Sequence, residues 1–405
     1  MINKNLISKN SIPNNLLNKR SSKKFKKNFK NIFSEITEEI YKNKNGLSVL
    51  KENYKFKFNI KELKKFKKFK NLVIIGMGGS ILGVEAIYQF MRNKVKKKLY
   101  FLNNIDIDQV KNLDKIINKK KKLFLVISKS GNTIETLSNL FSLSLIKSNS
   151  RNLIVISEKK DSALYSLVKK FNLNFVEHKN HIGGRYSVLS EVGIIPSYLM
   201  GLNILNLRKN LKRHLTKDNK SFLKDSVVKL SQIMEKKQYT NLIFLNYCPK
   251  FEKFLEWCQQ LIAESLGKKR KGFLPIISNV PKDHHSLLQL YLDGPRDKIF
   301  YIFNSHETEK KRMNVKKYSK KINYLNNKTL SQIKNAQKNA MINTLKKNKI
   351  PFREFKFKNH NEETLSELFS YFILETVFLG KLTNIDPFNQ PAVEQVKLAT
   401  IKLIK

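Results

Sequence analysis

Cysteine is scarce in this chain. Cys248 and Cys258 are its two thiols, and their spacing provides neither a disulfide framework nor a metal-ligand pattern. That usage fits a reducing, cytoplasmic setting. Long apolar runs are missing too: no window approaches the ~18 consecutive apolar residues of a membrane span. Met1 to Lys30 is rich in Lys and Asn and lacks the apolar core of a signal peptide. Two nucleotide signatures are also absent. No Gly-x-x-x-x-Gly-Lys-Ser/Thr run occurs, which excludes a nucleotide P-loop. Gly76-Met77-Gly78-Gly79-Ser80 starts like a dinucleotide fingerprint, but Ile81 stands where its third glycine belongs. Leu102, Asn103 and Asn104 occupy the place of the ribose-binding acid, so a nicotinamide cofactor is disfavoured.

Acidic residues are few. Asp and Glu number 32 against 79 Lys and Arg, for a net charge of +47. Such a surface attracts polyanions by counterion release. Yet Lys outnumbers Arg about sevenfold, and Lys, Asn and Ile share A- and T-rich codons, so compositional drift is a sufficient cause. The lysines run from Lys4 to Lys405 without clustering beside aromatic stacking positions. The expectation is a solvated basic surface and no specific nucleic-acid partner.

What is present is alternation. A polar, partly helical lead-in covers residues 1–70, with Phe25, Phe29, Phe33 and Ile36 spaced for one helical face. From Leu72, apolar runs at Leu72–Ile75, Lys98–Leu102, Leu123–Ser128, Leu153–Ser157 and Asn174–Val176 read as strands. Amphipathic stretches at Ile81–Arg92, Ile107–Ile117, Thr133–Lys147 and Ser162–Lys170 read as helices between them. A helix near Val192–Leu205 and a Lys-rich bridge over Arg208–Lys224 come next. Strands at Leu242–Tyr247, Phe273–Ile277 and Lys298–Phe303 then alternate with helices at Phe251–Leu266, Leu330–Lys347 and Glu362–Leu382. A last helix spans Val393–Ile404. This pattern predicts an α/β protein with two tandem doubly wound parallel-sheet domains, 71–206 and 207–383, and a helical tail, 384–405, returning to the site. Ligands in such sheets lie outside the carboxyl ends of strands, which places loops 76–80 and 128–133 on one edge.

Several short motifs carry chemistry. Leu123–Thr133 is a buried strand running into Ser128-Lys129-Ser130-Gly131-Asn132-Thr133 and then a helix start. Hydroxyls, free amides and a helix N-terminus form a cradle for a phosphate monoester. The bland alternative is a capping cluster without a ligand. His181-Ile182-Gly183-Gly184-Arg185-Tyr186-Ser187 retains an Arg in a chain that otherwise uses Lys, which points to a need for its planar fork, or to a structural ion pair. In Trp257–Lys268, Gln260 and Glu264 share one face of a helix beside Leu261, Ile262 and Ala263. A carboxylate on an apolar face gains the proton affinity of a general base, but on helix logic alone a surface Glu beside its Gln neighbour is the better reading. His284 and His285 open a further helix, and no cluster around them has metal-ligand spacing.

In their order, Gly78-Gly79-Ser80, Ser128-Lys129-Ser130, Gly183–Ser187, Ala263–Lys268, His285-Ser286 and Phe388–Lys397 resemble the phosphoglucose isomerase family of two sugar-isomerase (SIS) domains. The resemblance runs over roughly Leu72 to Lys397. It implies an aldose–ketose isomerase interconverting glucose 6-phosphate and fructose 6-phosphate through a cis-enediolate, without metal or cofactor. By the same resemblance Glu264 is the base, Arg185 stabilises the enediolate, and His285 and Lys397 act in ring opening. Ser128, Lys129, Ser130 and Thr133 hold the phosphate, Gly79 and Ser80 close the pocket, and Gln260 and Gln390 position the sugar. A homodimer is implied, with His285 donated across subunits. The alternatives are a related isomerase that also takes mannose 6-phosphate, and a non-catalytic sugar-phosphate sensor. The tail departs from the family's usual Asp and Gly at Asn389 and Ala392. An added methyl group at 392 would shift Gln390 if that backbone needed positive φ.

Overall fold

The computed structural model describes residues 6–116, 121–217, 219–305, 307 and 309–404. Met1–Asn5 of the lead-in, Ile117 of the candidate helix 107–117 and Lys405 lie outside them.

The strands are β1 Leu6–Ser11, β2 Asn71–Gly76, β3 Lys98–Leu102, β4 Lys122–Ile127, β5 Leu153–Ser157, β6 Asn174–Glu177, β7 Asn241–Asn246, β8 Leu274–Asn279, β9 Lys298–Ser305 and β10 Phe352–Phe357. The helices of the lead-in and first unit are α1 Lys19–Tyr41, α2 Ile60–Leu63, α3 Leu82–Phe90, α4 Ile107–Ile116, α5 Ile134–Ser142, α6 Ala163–Phe171 and α7 Glu191–Met200. Those that follow are α8 Lys220–Lys236, α9 Glu252–Leu266, α10 His284–Asp293, α11 Leu330–Lys347, α12 Glu362–Leu382 and α13 Val393–Ile404.

One sheet has the order β3-β2-β4-β5-β6, parallel throughout. The other has the order β1-β10-β9-β7-β8, parallel except for β1, which runs antiparallel to β10. Side chains alternate across each strand, so each sheet feeds two cores. Val73, Ile75, Phe124 and Val126 face outward onto Leu113, Leu140 and Leu164. Ile243, Leu245, Phe300 and Ile302 do the same with Tyr291, Met341 and Leu345. The inward faces, through Leu72, Ile74, Leu125, Phe244 and Phe303, merge with α3, α7, α9 and α12 into one continuous core. That shared layer fixes the two sheets against each other. No helix of the described residues is long and apolar enough to cross a membrane.

Three elements differ from expectation. The lead-in carries a strand as well as helix: β1 completes the second sheet, and Phe25, Phe29, Ile36 and Ile40 of α1 are buried in the shared core. The Lys-rich bridge becomes α8 from Lys220 on, burying Leu223, Val227, Leu230 and Ile233 beneath its lysines. β10 was not legible as a strand, since Arg353, Glu354 and Lys356 interrupt its apolar residues; Arg353 is buried and paired with Glu375 at 2.7 Å.

Candidate active site

β2 and β4 are neighbours whose chain successors leave on opposite sides, so their carboxyl ends form the switch point of the first sheet. From Gly76 the chain enters Gly78–Ser80, with Gly78 left-handed at φ 51°. From Ile127 it enters the hydroxyl loop. Thr133 Oγ1 lies 2.8 Å from Ser128 Oγ and 3.4 Å from Ser130 Oγ, and Ser128 Oγ accepts from the Gly131 amide. Thr133 precedes α5 but makes no capping bond with its side chain, leaving the first-turn amides without a side-chain cap. A dianion is the natural counterpart of such a turn. Lys129, half-buried, lies 3.6 Å from Glu158, and burial pulls its ammonium below the usual lysine range.

Arg185 is carried to this edge by the turn after β6. Its backbone packs directly on Gly79, and Ser187 Oγ donates to the carbonyls of Gly79 and Gly184. The guanidinium is 2% exposed, and all of its nitrogens are engaged. Nε donates to Ser265 Oγ at 2.8 Å, Nη1 to Gln390 Oε1 at 2.5 Å, and Nη2 to the Pro387 and Asn389 carbonyls at 2.7 and 3.0 Å. Nη1 also stands 3.4 Å from Glu264 Oε1. Only a planar fork can serve so many acceptors at once.

Helix α9 supplies the carboxylate. It packs along α3, and its Gln260 approaches Gly78 so closely that a side chain on that glycine would meet the amide at 2.8 Å. Gln260 Nε2 donates to Glu264 Oε2 at 3.1 Å, while Gln260 Oε1 is buried without a partner among the described residues. Glu264 is 22% exposed. Its neighbour is thus the Arg185 guanidinium, not the apolar face that the helix pattern implied. Trp257 Nε1, two helical turns earlier, donates to the Arg185 carbonyl and locks the two elements together.

The structure therefore brings together Gly79, Ser80, Ser128, Lys129, Ser130, Thr133, Arg185, Gln260, Glu264 and Gln390. Two expected residues stand apart. His285 is exposed on α10, while its neighbour His284 is half-buried with Nε2 3.0 Å from the Tyr247 hydroxyl. Lys397 is on the exposed helix α13 and pairs with Glu394 at 2.8 Å. Ser265, Tyr186 and Trp257 support the site without having been singled out. Tyr186 and Ser265 sit inside the motifs already noted, where their hydroxyls bond each other at 2.9 Å. Neither tail departure disturbs this arrangement. Asn389 contributes a main-chain carbonyl, and Ala392 is not among the residues with positive φ. A hollow of about 780 Å³ lined by Arg208, Lys212 and Glu363 shares no residue with the cluster. No group of three or more His, Cys, Asp or Glu among the described residues is arranged to hold a metal.

Comparison with known proteins points the same way. The family model for phosphoglucose isomerase matches residues 20–403. The glucose-6-phosphate isomerase of Methanocaldococcus jannaschii is 31% identical over 360 residues, covering 86% of this chain and 87% of that one. That of Campylobacter jejuni is 32% identical over 343 residues, covering 81% and 84%. Two solved structures share the fold. A protein from Thermus thermophilus aligns with TM-score 0.80 and 22% identity over 98% of this chain and all of its own. A glucose-6-phosphate isomerase from Chlamydia trachomatis aligns with TM-score 0.70 and 21% identity over 85% of this chain and 71% of its own. A match over nearly the whole length, with an Arg–Glu pair and a hydroxyl-rich turn at the sheet's switch point, makes this chain a member of the phosphoglucose isomerase family, the enzymes that interconvert glucose 6-phosphate and fructose 6-phosphate.

Proposed function

We propose that Glu264 moves the proton between C2 and C1 of the open-chain sugar phosphate. As Glu264 takes the proton from C2 of glucose 6-phosphate, the electron pair passes through the C1–C2 bond onto the carbonyl oxygen. The resulting cis-enediolate is stabilised by the Arg185 guanidinium; its hydroxyl proton passes from O2 to O1, and protonation at C1 by the same carboxyl group, with C2 becoming the carbonyl, gives fructose 6-phosphate. One base and one cation suffice, and every electron stays in the sugar. The hydroxyls of Ser128, Ser130 and Thr133, with Lys129, grip the phosphate away from the reacting carbons and orient them. Gly79 and Ser80 close the pocket, Gln260 offers its unpartnered Oε1 to a sugar hydroxyl, and Gln390 is held on Arg185. The observation that carries this reading is the 3.4 Å approach of Glu264 to a buried Arg185 whose other donors are all occupied. A sensor needs the phosphate cradle but not that pair.

Ring opening falls to His285 and Lys397, in a homodimer in which His285 reaches the neighbouring subunit's pocket. His285 points outward, and Val396, Leu398 and Leu403 expose an apolar face on α13, as an assembled partner would require. The reaction belongs in the cytoplasm, where the free, buried Cys248 and Cys258 stay reduced.

The test is turnover of fructose 6-phosphate in the presence of EDTA, followed through a coupled glucose-6-phosphate dehydrogenase. Glu264→Gln is expected to lower kcat by about 10²–10⁴-fold with sugar-phosphate binding retained. Binding without turnover in the unaltered protein overturns the reading in favour of a sensor.

A further inference from the structure

The far end of α9 makes contacts that the proton transfer does not use. After Leu266 the chain turns through Lys269 and Arg270, consecutive left-handed residues at φ 54° and 57°. Left-handed backbone is unfavourable outside glycine, so the turn is held by what it reaches. It aims three ammonium groups at one strip of backbone. Lys271 Nζ donates to the Thr383 carbonyl at 3.2 Å, Lys269 Nζ to Asn384 at 3.0 Å and Lys268 Nζ to Asp386 at 2.5 Å. The strip runs on through Pro387 and Asn389, whose carbonyls accept from Arg185, to Gln390. The same carbonyl row is thus gripped from one side by the end of the Glu264 helix and from the other by Arg185. Lys268 is the member of the comb that feels both Arg185 and Glu264.

We propose that Lys268 is a positioning residue, a latch that ties the end of the Glu264 helix to the Asp386–Asn389 turn and so keeps Gln390 and the turn's carbonyls registered on Arg185. It touches no reacting atom and acts through that turn. The proposal rests on the assignment of Glu264 and Arg185 to the isomerisation.

The latch has a pH dependence. Burial and the Arg185 charge pull the Lys268 ammonium down to about 8, against the opposing pull of Asp386 and Glu264. Below that pH the ammonium makes a charge-assisted bond to the Asp386 carbonyl. Above it the neutral amine leaves a bond roughly half as strong.

The experiment compares the unaltered protein, Lys268→Arg and Lys268→Met in fructose 6-phosphate kinetics from pH 6 to 10, with amide hydrogen exchange of segment 383–392 at pH 7 and 9. The unaltered protein is expected to lose kcat along an alkaline limb near pH 8. Lys268→Arg should retain kcat/KM at pH 7 and move that limb upward, because a guanidinium does not titrate there. Lys268→Met should lose about 10- to 100-fold at pH 7, chiefly in kcat, and exchange faster in 383–392. An unmoved limb in Lys268→Arg, or wild-type constants and exchange in Lys268→Met, overturns the latch. Absence of turnover in the unaltered protein defeats the functional reading instead. The exchange comparison still decides the latch in that case: equal rates in all three proteins at both pH values refute it.

Discussion

Gly79 lies so close to the main chain of Gly184 that a Cβ on it would stand 2.1 Å from the Gly184 carbonyl carbon and 2.4 Å from the Arg185 nitrogen. Backbone touches backbone here, so neither side can yield as a flexible side chain would. Gly79→Ala must push the Gly78–Ser80 turn away from the Arg185 turn. We expect kcat/KM to fall about 100-fold and stability to drop by about 1–3 kcal/mol, read from coupled-assay kinetics and urea unfolding. An Ala variant with unchanged kinetics would show that the two loops move independently.

Arg185→Lys keeps the charge and loses the fork. A single ammonium cannot serve Ser265, Gln390, Pro387 and Asn389 together, and each buried acceptor left alone costs about 1–3 kcal/mol. Turnover should fall about 10²–10³-fold, the range for a lost oxyanion donor. Steady-state kinetics together with thermal unfolding separate the two losses.

Thr133→Val removes the hydroxyl that joins Ser128 and Ser130 while keeping the β-branched shape. Because Thr133 makes no capping bond with its side chain, α5 loses little by the change. The phosphate grip proposed for this turn acts away from the reacting carbons, so the expected result is a KM raised about tenfold with a smaller change in kcat. A loss confined to kcat would contradict the assignment of this turn to the phosphate.

Glu85 lies buried on α3 with Oε1 accepting from Asn103 and Oε2 unpartnered among the described residues. Burial pushes its carboxyl up to about 7, with Lys253 opposing and Glu256 assisting. The unfolded chain releases this proton near 4.5 and the folded one only near 7. Across that window the folded state binds more protons, so this residue's contribution to stability falls as pH rises. Glu85→Gln should therefore be neutral near pH 4.5 and stabilise by on the order of 2–3 kcal/mol at pH 8, measured by denaturant unfolding at both pH values. Equal effects at the two pH values would refute a buried neutral acid.

How far the sequence reveals this molecule depends on how local each feature is. The hydroxyl turn after β4 was legible because strand, Ser and Thr residues and helix start lie within about a dozen residues. The parallel strands of the first sheet were legible because burial on both faces leaves unbroken apolar runs. β10 was not, because its Arg353 is neutralised by Glu375 and bonded to the Tyr371 and Ser226 hydroxyls, all on other elements. The environment of Glu264 was misjudged for the same reason: its helix neighbours are apolar, but Arg185 arrives from 79 positions away. The setting of Lys268 depends on a carbonyl 118 positions downstream, and no spacing rule reports such a contact.

The antiparallel pairing of β1 with β10 sets an order of events during synthesis. Asn10 waits for Arg353, 343 residues later, before its side-chain oxygen finds its donor. At translation rates of about 5–20 residues per second that delay is roughly 20–70 s. For this interval the first strand is an unpaired edge on a nascent chain, while the residues of the first sheet have already emerged and can pair among themselves. The second sheet closes only when both β1 and β10 are present, so β1 is the last seam of that sheet to be sewn, although it is made before the other four strands.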